Sequence, residues 1–355
     1  MAITTCENTL ECQGLYESFD RKGGGAPRST HYCPGCEHGI LHKLIGEAVT
    51  ELEIQDRTVL LSPVGCAVFA YYYLDCGNVQ VAHGRAPAVG TAIQRGCPES
   101  VIISYQGDGD LCSIGFLEAL HAANRGEKMV IFFINNGLYG MTGGQMAPTS
   151  LVGQKTTTSP FGRTIENDGY PLHACEILNQ LPAPVYIERC SLGDSKRIRK
   201  ARQAIRKALT IQRDRKGFAF VEFLASCPTN MRQTPVEASR YVIEQMEAEF
   251  PLGCLRDRTE EAVATEIPER KFDIESLDKV FAADAPDVGQ IVDDPEFVAR
   301  RIKVAGFGGQ GVLSMGKILS YSGIMQHQEV SWMPSYGPEM RGGTANVTVI
   351  LSAKK

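Results

Sequence analysis

Five apolar runs, "RTVLLSPVG", "ESVIISYQGDGD", "KMVIFFINN", "APVYIERC" and "GFAFVEFLASC", recur between residues 31 and 235, separated by stretches with helix-like patterning. Each reads as a buried strand ending in a loop, and the continuous strand, loop and helix alternation predicts one parallel-sheet α/β domain over 31–235. The first 30 residues are polar and end in "RKGGGAPRST", a lead-in or an arm packed on a partner. From 236 to 300 the chain turns acidic, with "DRTEEAVATEIPER" and "DDPEFVARR", and is read as a partly helical connector. A new strand, glycine loop and helix begin at "RIKVAGFGGQGVLSMGKIL", opening a further α/β segment over 301–355. There is no internal repeat.

Composition narrows the classes. With 355 residues, 43% of them hydrophobic, the chain can bury one large core or two moderate ones. It lacks the basic start and apolar run of a secretory signal and any apolar stretch near eighteen residues, so a cytoplasmic protein with no membrane contact is expected. A net charge of −5 gives no electrostatic footprint for nucleic acid. The one basic run, "SKRIRKARQAIRKALTIQRDRK", has apolar residues at helical spacing and reads as a helix with a solvated face; the rival reading is a landing site for an acidic partner or phosphates. Twelve cysteines in a reducing compartment point to buried thiols, metal ligands or reactive thiols rather than a disulfide framework.

The most informative segment runs from Gly107 to Gln145, "GDGDLCSIGFLEALHAANRGEKMVIFFINNGLYGMTGGQ". It predicts strand, Gly-Asp-Gly loop, helix, strand and Asn-Asn loop. Parallel strands place Asp108 and Asn136 at one carboxyl edge, where α/β sheets bind ligands, so the two can share a cation. Glycines let the backbone approach a diphosphate, and carboxylate, amide and carbonyl oxygens suit magnesium. A structural turn is the plainer alternative. Gly-Asp-Gly followed by Asn-Asn at this distance resembles the signature of thiamine diphosphate enzymes. The resemblance implies that Asp108, the Asn136 side chain and the Leu138 carbonyl hold Mg2+, with Gly107, Gly109, Asp110 and Tyr139 at the cofactor. Thr142, Gly143 and Gln145 in "MTGGQ" would line its diphosphate or substrate side.

"HYCPGCEHG" at 31–39 carries a Cys-x-x-Cys pair that by itself suits a redox disulfide, a zinc ion or an iron-sulfur cluster. Together "CPGCEHG", "SPVGCAVFAYYY", "AHGRAPAVG", "NNGLYGMTGGQMAPTS" and "FVEFLASCPTN" resemble, in order over roughly 200 residues, the β subunit of the 2-oxoacid:ferredoxin oxidoreductases, of 2-oxoisovalerate or 2-oxoglutarate type. That resemblance implies a 4Fe-4S cluster on Cys33, Cys36, Cys66 and Cys227. It also implies oxidative decarboxylation of a 2-oxoacid to acyl-CoA and CO2, with coenzyme A as co-substrate and electrons leaving through the cluster to ferredoxin. An α-type subunit would complete the active site, a ferredoxin-like subunit or ferredoxin would accept electrons, and a further γ-type portion would join them. Cys6, Cys12, Cys76, Cys97, Cys112, Cys175, Cys190 and Cys254 read as ordinary thiols. Two departures stand out: Glu37 where the family usually has glycine, and Gly90, Thr91 and Ala92 where it usually has Ala-Thr-Gly. A carboxylate beside a cluster would lower its potential.

His83 in "AHGRA" is a candidate acid or base, or a loop hydrogen-bonder. Arg85 is a candidate for the substrate carboxylate, or a structural ion-pair partner. His31 and His38 flank the cysteine loop as packing residues. Gly306, Gly308 and Gly311 fit Gly-x-Gly-x-x-Gly, yet "EVSWMPS" ends without a ribose-binding acid; with "SYGPEMRGGTANV" the segment instead resembles the start of the γ subunit of the same oxidoreductases. Two rivals remain at this point: a non-redox thiamine diphosphate decarboxylase or carboligase with structural zinc, and a non-catalytic scaffold subunit.

Overall fold

The computed structural model describes residues 12–16, 30–267, 296–307, 310–336 and 344–353. Most of the N-terminal arm, Cys6, the middle of the acidic connector, Gly308 and part of "SYGPEMRGGTANV" lie outside the described residues. The chain divides into two units, Met1–Pro268 and Glu269–Lys355.

In the first unit, helix α1 (His38–Glu51) precedes β1 (Thr58–Ser62) and β2 (Gly77–Gln80). Helix α2 (Ala86–Gly96), β3 (Val101–Gly107), α3 (Phe116–Arg125) and β4 (Met129–Asn135) follow. A short hairpin, β5 (Leu138–Tyr139) and β6 (Gln145–Met146), leads to β7 (Tyr186–Ser191), helix Ser195–Arg213, β8 (Ala219–Leu224) and β9 (Gly253–Asp257). Seven strands form one sheet in the order β2-β1-β3-β4-β8-β7-β9, parallel except for β9. All five expected strands are present.

The unbroken apolar runs are explained by a helical layer on each face. On β4, Val130, Phe132 and Ile134 pack into a core with Leu41, Leu44 and Ile45 of α1 and Ala204, Ile205 and Ala208 of the long helix. The alternate residues Met129, Ile131 and Phe133 pack with Ala119, Ala122 and Ala123 of α3. Every residue of β4 and β8 is buried.

The basic run forms the expected helix, capped by Asp194, whose side chain accepts from Arg197 N at 2.8 Å. Four of its cations are answered within the fold: Arg197 by Glu247, Arg202 by Glu47, Arg206 by Glu51 and Lys207 by Asp257. The run is thus a solvated helix face with internal partners.

The expected start of the connector at 236 requires correction. Thr234 and Glu237 form a capping box on helix Pro235–Tyr241, Val242, Met246 and Phe250 are buried against Leu224, and β9 joins the sheet edge beside β7. Acidic composition concealed an apolar face spaced along 242–250.

In the second unit, β10 (Arg300–Phe307), helix Val312–Met325, β11 (Glu329–Tyr336) and β12 (Thr344–Ser352) form a sheet ordered β10-β12-β11. Both outer strands run antiparallel to β12 and therefore point the same way. Its buried apolar core is small: Val312, Ala345, Val347 and Val349.

Candidate active site and sulfur site

The four central strands, β1-β3-β4-β8, end side by side at one edge of the sheet. The residues just beyond them are, in that spatial order, Cys66, Asp108, Asn136 and Cys227. Hard oxygen donors thus sit in the middle with a soft donor on either side.

Asp108 is buried, and its carboxylate accepts from the backbone N–H groups of Gly109 (3.1 Å), Asn136 (3.2 Å) and Leu138 (3.2 Å) and from the Thr149 hydroxyl (3.5 Å). Burial still pushes this carboxyl up to about 7, because those donors do not offset its desolvation. The Asn136 side-chain amide lies 3.1 Å from Asp108 Oδ2 and 2.7 Å from the Leu138 carbonyl oxygen. With its nitrogen turned inward it donates to both. With its oxygen turned inward, carboxylate, amide and carbonyl oxygens converge as a hard divalent cation requires, so these residues fit magnesium.

A cavity of about 350 Å³ opens beside them, lined by His83, Gly107, Asp108, Gly109, Asp110, Asn136, Tyr139 and Thr142 among the sequence-derived candidates. A Cβ added at Gly107 would meet nothing within 4 Å, so the backbone there borders open space. Asp110 is buried and accepts from Gly84 N (2.9 Å) and Gln106 Nε2 (2.5 Å), with His83 Nδ1 2.6 Å away. Ser104 supports Gln106 from below at 2.9 Å. A carboxylate on Nδ1 fixes the imidazole tautomer and leaves Nε2 for a molecule in the cavity. Asp110 therefore orients His83 while itself bordering the cavity.

Arg85 is not brought to the cavity; its guanidinium pairs with Glu118 of α3. Gly143 and Gln145 sit in the β5–β6 hairpin, where Gln145 Nε2 donates to the Thr142 carbonyl at 2.8 Å and Thr142 Oγ1 donates back to Gln145 Oε1 at 2.5 Å. Neither lines the cavity, and Leu138 reaches the site only through its backbone.

Cys33, Cys36, Cys66 and Cys227 are free thiols, and ionising Cys36 is opposed by burial and by Cys33, Cys66 and Cys227 nearby. Burial, reinforced by these neighbouring sulfurs, pushes Cys36 up to about 12 and Cys66 up to about 11, and it raises Cys227. Such thiols become thiolates only when a cationic group lies among them. Gly140 presses between two of them: a Cβ there would lie 3.4 Å from both Cys66 Sγ and Cys227 Sγ. Among the described residues no three Cys, His or carboxylate side chains converge tightly enough for one metal ion. Four thiols drawn from three segments are a soft donor set, the chemistry that an iron-sulfur cluster or a zinc ion takes.

Several contributors escaped the sequence reading or were given another role in it. Asn230 donates to Cys227 Sγ at 3.3 Å and to the Gly140 carbonyl at 2.7 Å; its spacing from Cys227, one turn of a short helix, was the available signal. Thr149 reaches Asp108 from the end of "NNGLYGMTGGQMAPTS", where the sequence assigned it no role of its own. His38 lines the cavity, with Nδ1 2.7 Å from the Tyr105 hydroxyl, and burial drives it down to about 4, so it is a neutral hydrogen-bonding group at neutral pH. Glu37 is buried and bonded to Ser226, and burial pushes its carboxyl up to about 7.

Comparison with known proteins follows the same division. Residues 63–223 match the family described as thiamine pyrophosphate enzyme, C-terminal TPP binding domain, and residues 301–355 match pyruvate ferredoxin/flavodoxin oxidoreductase. Ketoisovalerate oxidoreductase subunit VorA of Methanothermobacter thermautotrophicus is 60% identical over 341 residues, covering 96% of this chain and 72% of that protein. An alignment of that length includes both units. The 2-oxoglutarate synthase subunit KorB of Methanocaldococcus jannaschii is 31% identical over 251 residues, 69% of this chain and 87% of that protein. In fold the chain resembles the 2-oxoglutarate:ferredoxin oxidoreductase of Magnetococcus marinus, solved with 2-oxoglutarate, coenzyme A and succinyl-CoA bound. The TM-score is 0.53 at 22% identity, over 79% of this chain and 96% of that one.

Proposed function

The chain belongs to the 2-oxoacid:ferredoxin oxidoreductases, and from that premise we propose that it is their thiamine diphosphate-binding subunit, oxidising a 2-oxoacid to acyl-CoA and CO2. The observation that carries the reading is the order Cys66, Asp108, Asn136, Cys227 along four adjacent strand ends, which supports a diphosphate-metal site beside a sulfur site. A decarboxylase with distant structural zinc has no need of that adjacency. The 2-oxoacid we infer is 2-oxoisovalerate, the substrate named for the relative that is 60% identical.

Asp108, the Asn136 side chain and the Leu138 carbonyl would hold Mg2+ against the diphosphate. Cys33, Cys36, Cys66 and Cys227 would hold a 4Fe-4S cluster. When bound, the thiamine supplies the electron sink for decarboxylation and the cluster removes electrons one at a time. This chain's own residues then bind and orient. His83, held by Asp110, accepts or donates a proton at Nε2, and neutral His38 donates or accepts a hydrogen bond without adding charge. Ile114 and Met141 are exposed while lining the cavity, and Leu117 is exposed nearby in sequence, which supports an α-type subunit closing over this edge. Ferredoxin or a ferredoxin-like subunit takes the electrons, coenzyme A takes the acyl group, and a further γ-type portion completes the assembly around residues 301–355. Among the described residues no helix is long and apolar enough to cross a membrane; a cytoplasmic site of action is part of the proposal.

The test is anaerobic, coenzyme A-dependent reduction of ferredoxin or viologen by the whole complex against a panel of 2-oxoacids, with iron and sulfide analysis of this chain. Reduction with 2-oxoisovalerate and about four irons and four sulfides per chain are expected. Stoichiometric zinc without sulfide, or 2-oxoacid decarboxylation without electron transfer, would overturn it.

A further inference from the structure

We propose that Glu37 and Ser226 form a buried strut that holds the Cys33–Cys36 loop against the Cys227 loop, making Glu37 a positioning residue of the sulfur site. The inference rests on the reading of the four cysteines as ligands of one iron-sulfur group. Glu37 directly follows Cys36, and Ser226 directly precedes Cys227.

Glu37 occupies the N-cap of α1, where a side chain ordinarily accepts from the first free backbone N–H groups of its own helix. It makes no such bond. Its Oε2 instead accepts from Ser226 N at 2.6 Å and from Ser226 Oγ at 3.1 Å, across 189 positions of sequence. The Ser226 hydroxyl also lies 3.2 Å from the Gly35 carbonyl, on the other side of Cys36. Glu37 is 3% exposed and Ser226 2%. Gly35, at φ +82°, lies so near the start of helix Pro235–Tyr241 that an added Cβ would fall 2.6 Å from Pro235 Cβ. The loop is thus seated on both sides of Cys36.

Stability alone does not account for this carboxylate. Burying it costs free energy, and its second oxygen, Oε1, has no hydrogen-bond partner. What it supplies is a fixed distance between two loops that nothing covalent joins, each bearing a soft ligand. Cysteine loops that repel one another when ionised need such support before a cluster can be inserted, as outer-shell partners give other metal sites.

The experiment uses the full chain, reconstituted anaerobically as wild type, Glu37→Ala, Glu37→Gln and Ser226→Ala. It measures iron and sulfide per chain, the rate of cluster loss to a chelator and the electron paramagnetic resonance spectrum of the reduced cluster. Glu37→Ala should lose its cluster at least about tenfold faster, within the range typical of outer-shell partners, and give an altered spectrum. Glu37→Gln retains an oxygen for the Ser226 N–H and should behave as wild type. Ser226→Ala, which keeps that N–H but loses the hydroxyl, should fall between them, at about fivefold. A Glu37→Ala protein with the wild-type rate and spectrum would overturn the strut, as would a Glu37→Gln protein that fails as badly as Glu37→Ala. If Glu37→Ala does not fold, the other two variants decide. Wild-type protein that takes up no iron and sulfide would overturn the cluster reading itself, a failure separate from either of these.

Discussion

The oxygen-lined and sulfur-lined halves of this site lie at the same edge of one sheet but are assembled over different lengths of chain. Asp108, Asn136 and Leu138 belong to one strand, loop, helix and strand, and they meet as soon as β3 and β4 pair in parallel. Cys33, Cys36, Cys66 and Cys227 come from three separate segments, and they meet only after β1, β3, β4 and β8 are in order and α1 lies on the sheet. A hard-cation site can be the property of a supersecondary unit, whereas this soft-donor site is a property of the whole domain. The two should therefore be separable by mutation.

The largest effect should come from Asp108→Ala. Removing the only side-chain charge among the proposed magnesium ligands is expected to weaken Mg2+-dependent thiamine diphosphate binding by more than the roughly 10–100-fold that loss of an outer-shell partner costs. Isothermal titration checks this, and the iron and sulfide content should stay unchanged. Loss of the cluster from the same variant would break the comparison.

Cys227→Ala tests the other half. Iron should fall from about four per chain to well below one, while thiamine diphosphate affinity changes by less than about tenfold, since no oxygen ligand is touched. Metal analysis and the same titration read both quantities. If the thiamine site disappears with the cluster, the two halves form a single cooperative unit.

Asp110→Asn should leave both groups bound, because Asp110 lies beneath His83 and contacts neither set of proposed ligands. The amide still fills the space but loses the charge that fixes the imidazole. Turnover by the complex is expected to drop on the order of 10²-fold, with KM changed far less. An unaffected turnover number would remove His83 from the chemistry.

The smallest effect sharpens the comparison most finely. Asn230→Ala deletes the N–H donated to Cys227 Sγ, a bond that favours the more negative, reduced cluster. The potential should fall by about 40 mV, the one-electron equivalent of a hydrogen bond worth about 1 kcal/mol. Thiamine binding should not change. Spectroelectrochemistry gives the potential, and an unmoved value would show that the bond to sulfur carries no energetic weight.

The pattern along the chain was sufficient for the five strands, because a strand covered on both faces is apolar at most positions and so stands out without any partner. The Gly-Asp-Gly and Asn-Asn loops were legible for a related reason: their spacing is that of a single local unit. The acidic stretch after residue 235 misled for the opposite reason. Val242, Met246 and Phe250 are buried one turn apart, but the surrounding glutamates dominate the composition, and β9 is a strand only because β7 offers it an edge.

Residue identity alone thus determined which groups are hard or soft donors and which segments end at the carboxyl edge. What the tertiary structure decided was which of these groups meet. Asp110 turned out to hold His83, Arg85 was drawn to Glu118 and away from the cavity, and Glu37 reached across 189 positions to Ser226. The physical reason is that side-chain chemistry and strand periodicity are local properties. Hydrogen bonds and sulfur contacts between residues far apart in sequence exist only once the sheet order has been chosen, and no spacing within a single segment encodes that order.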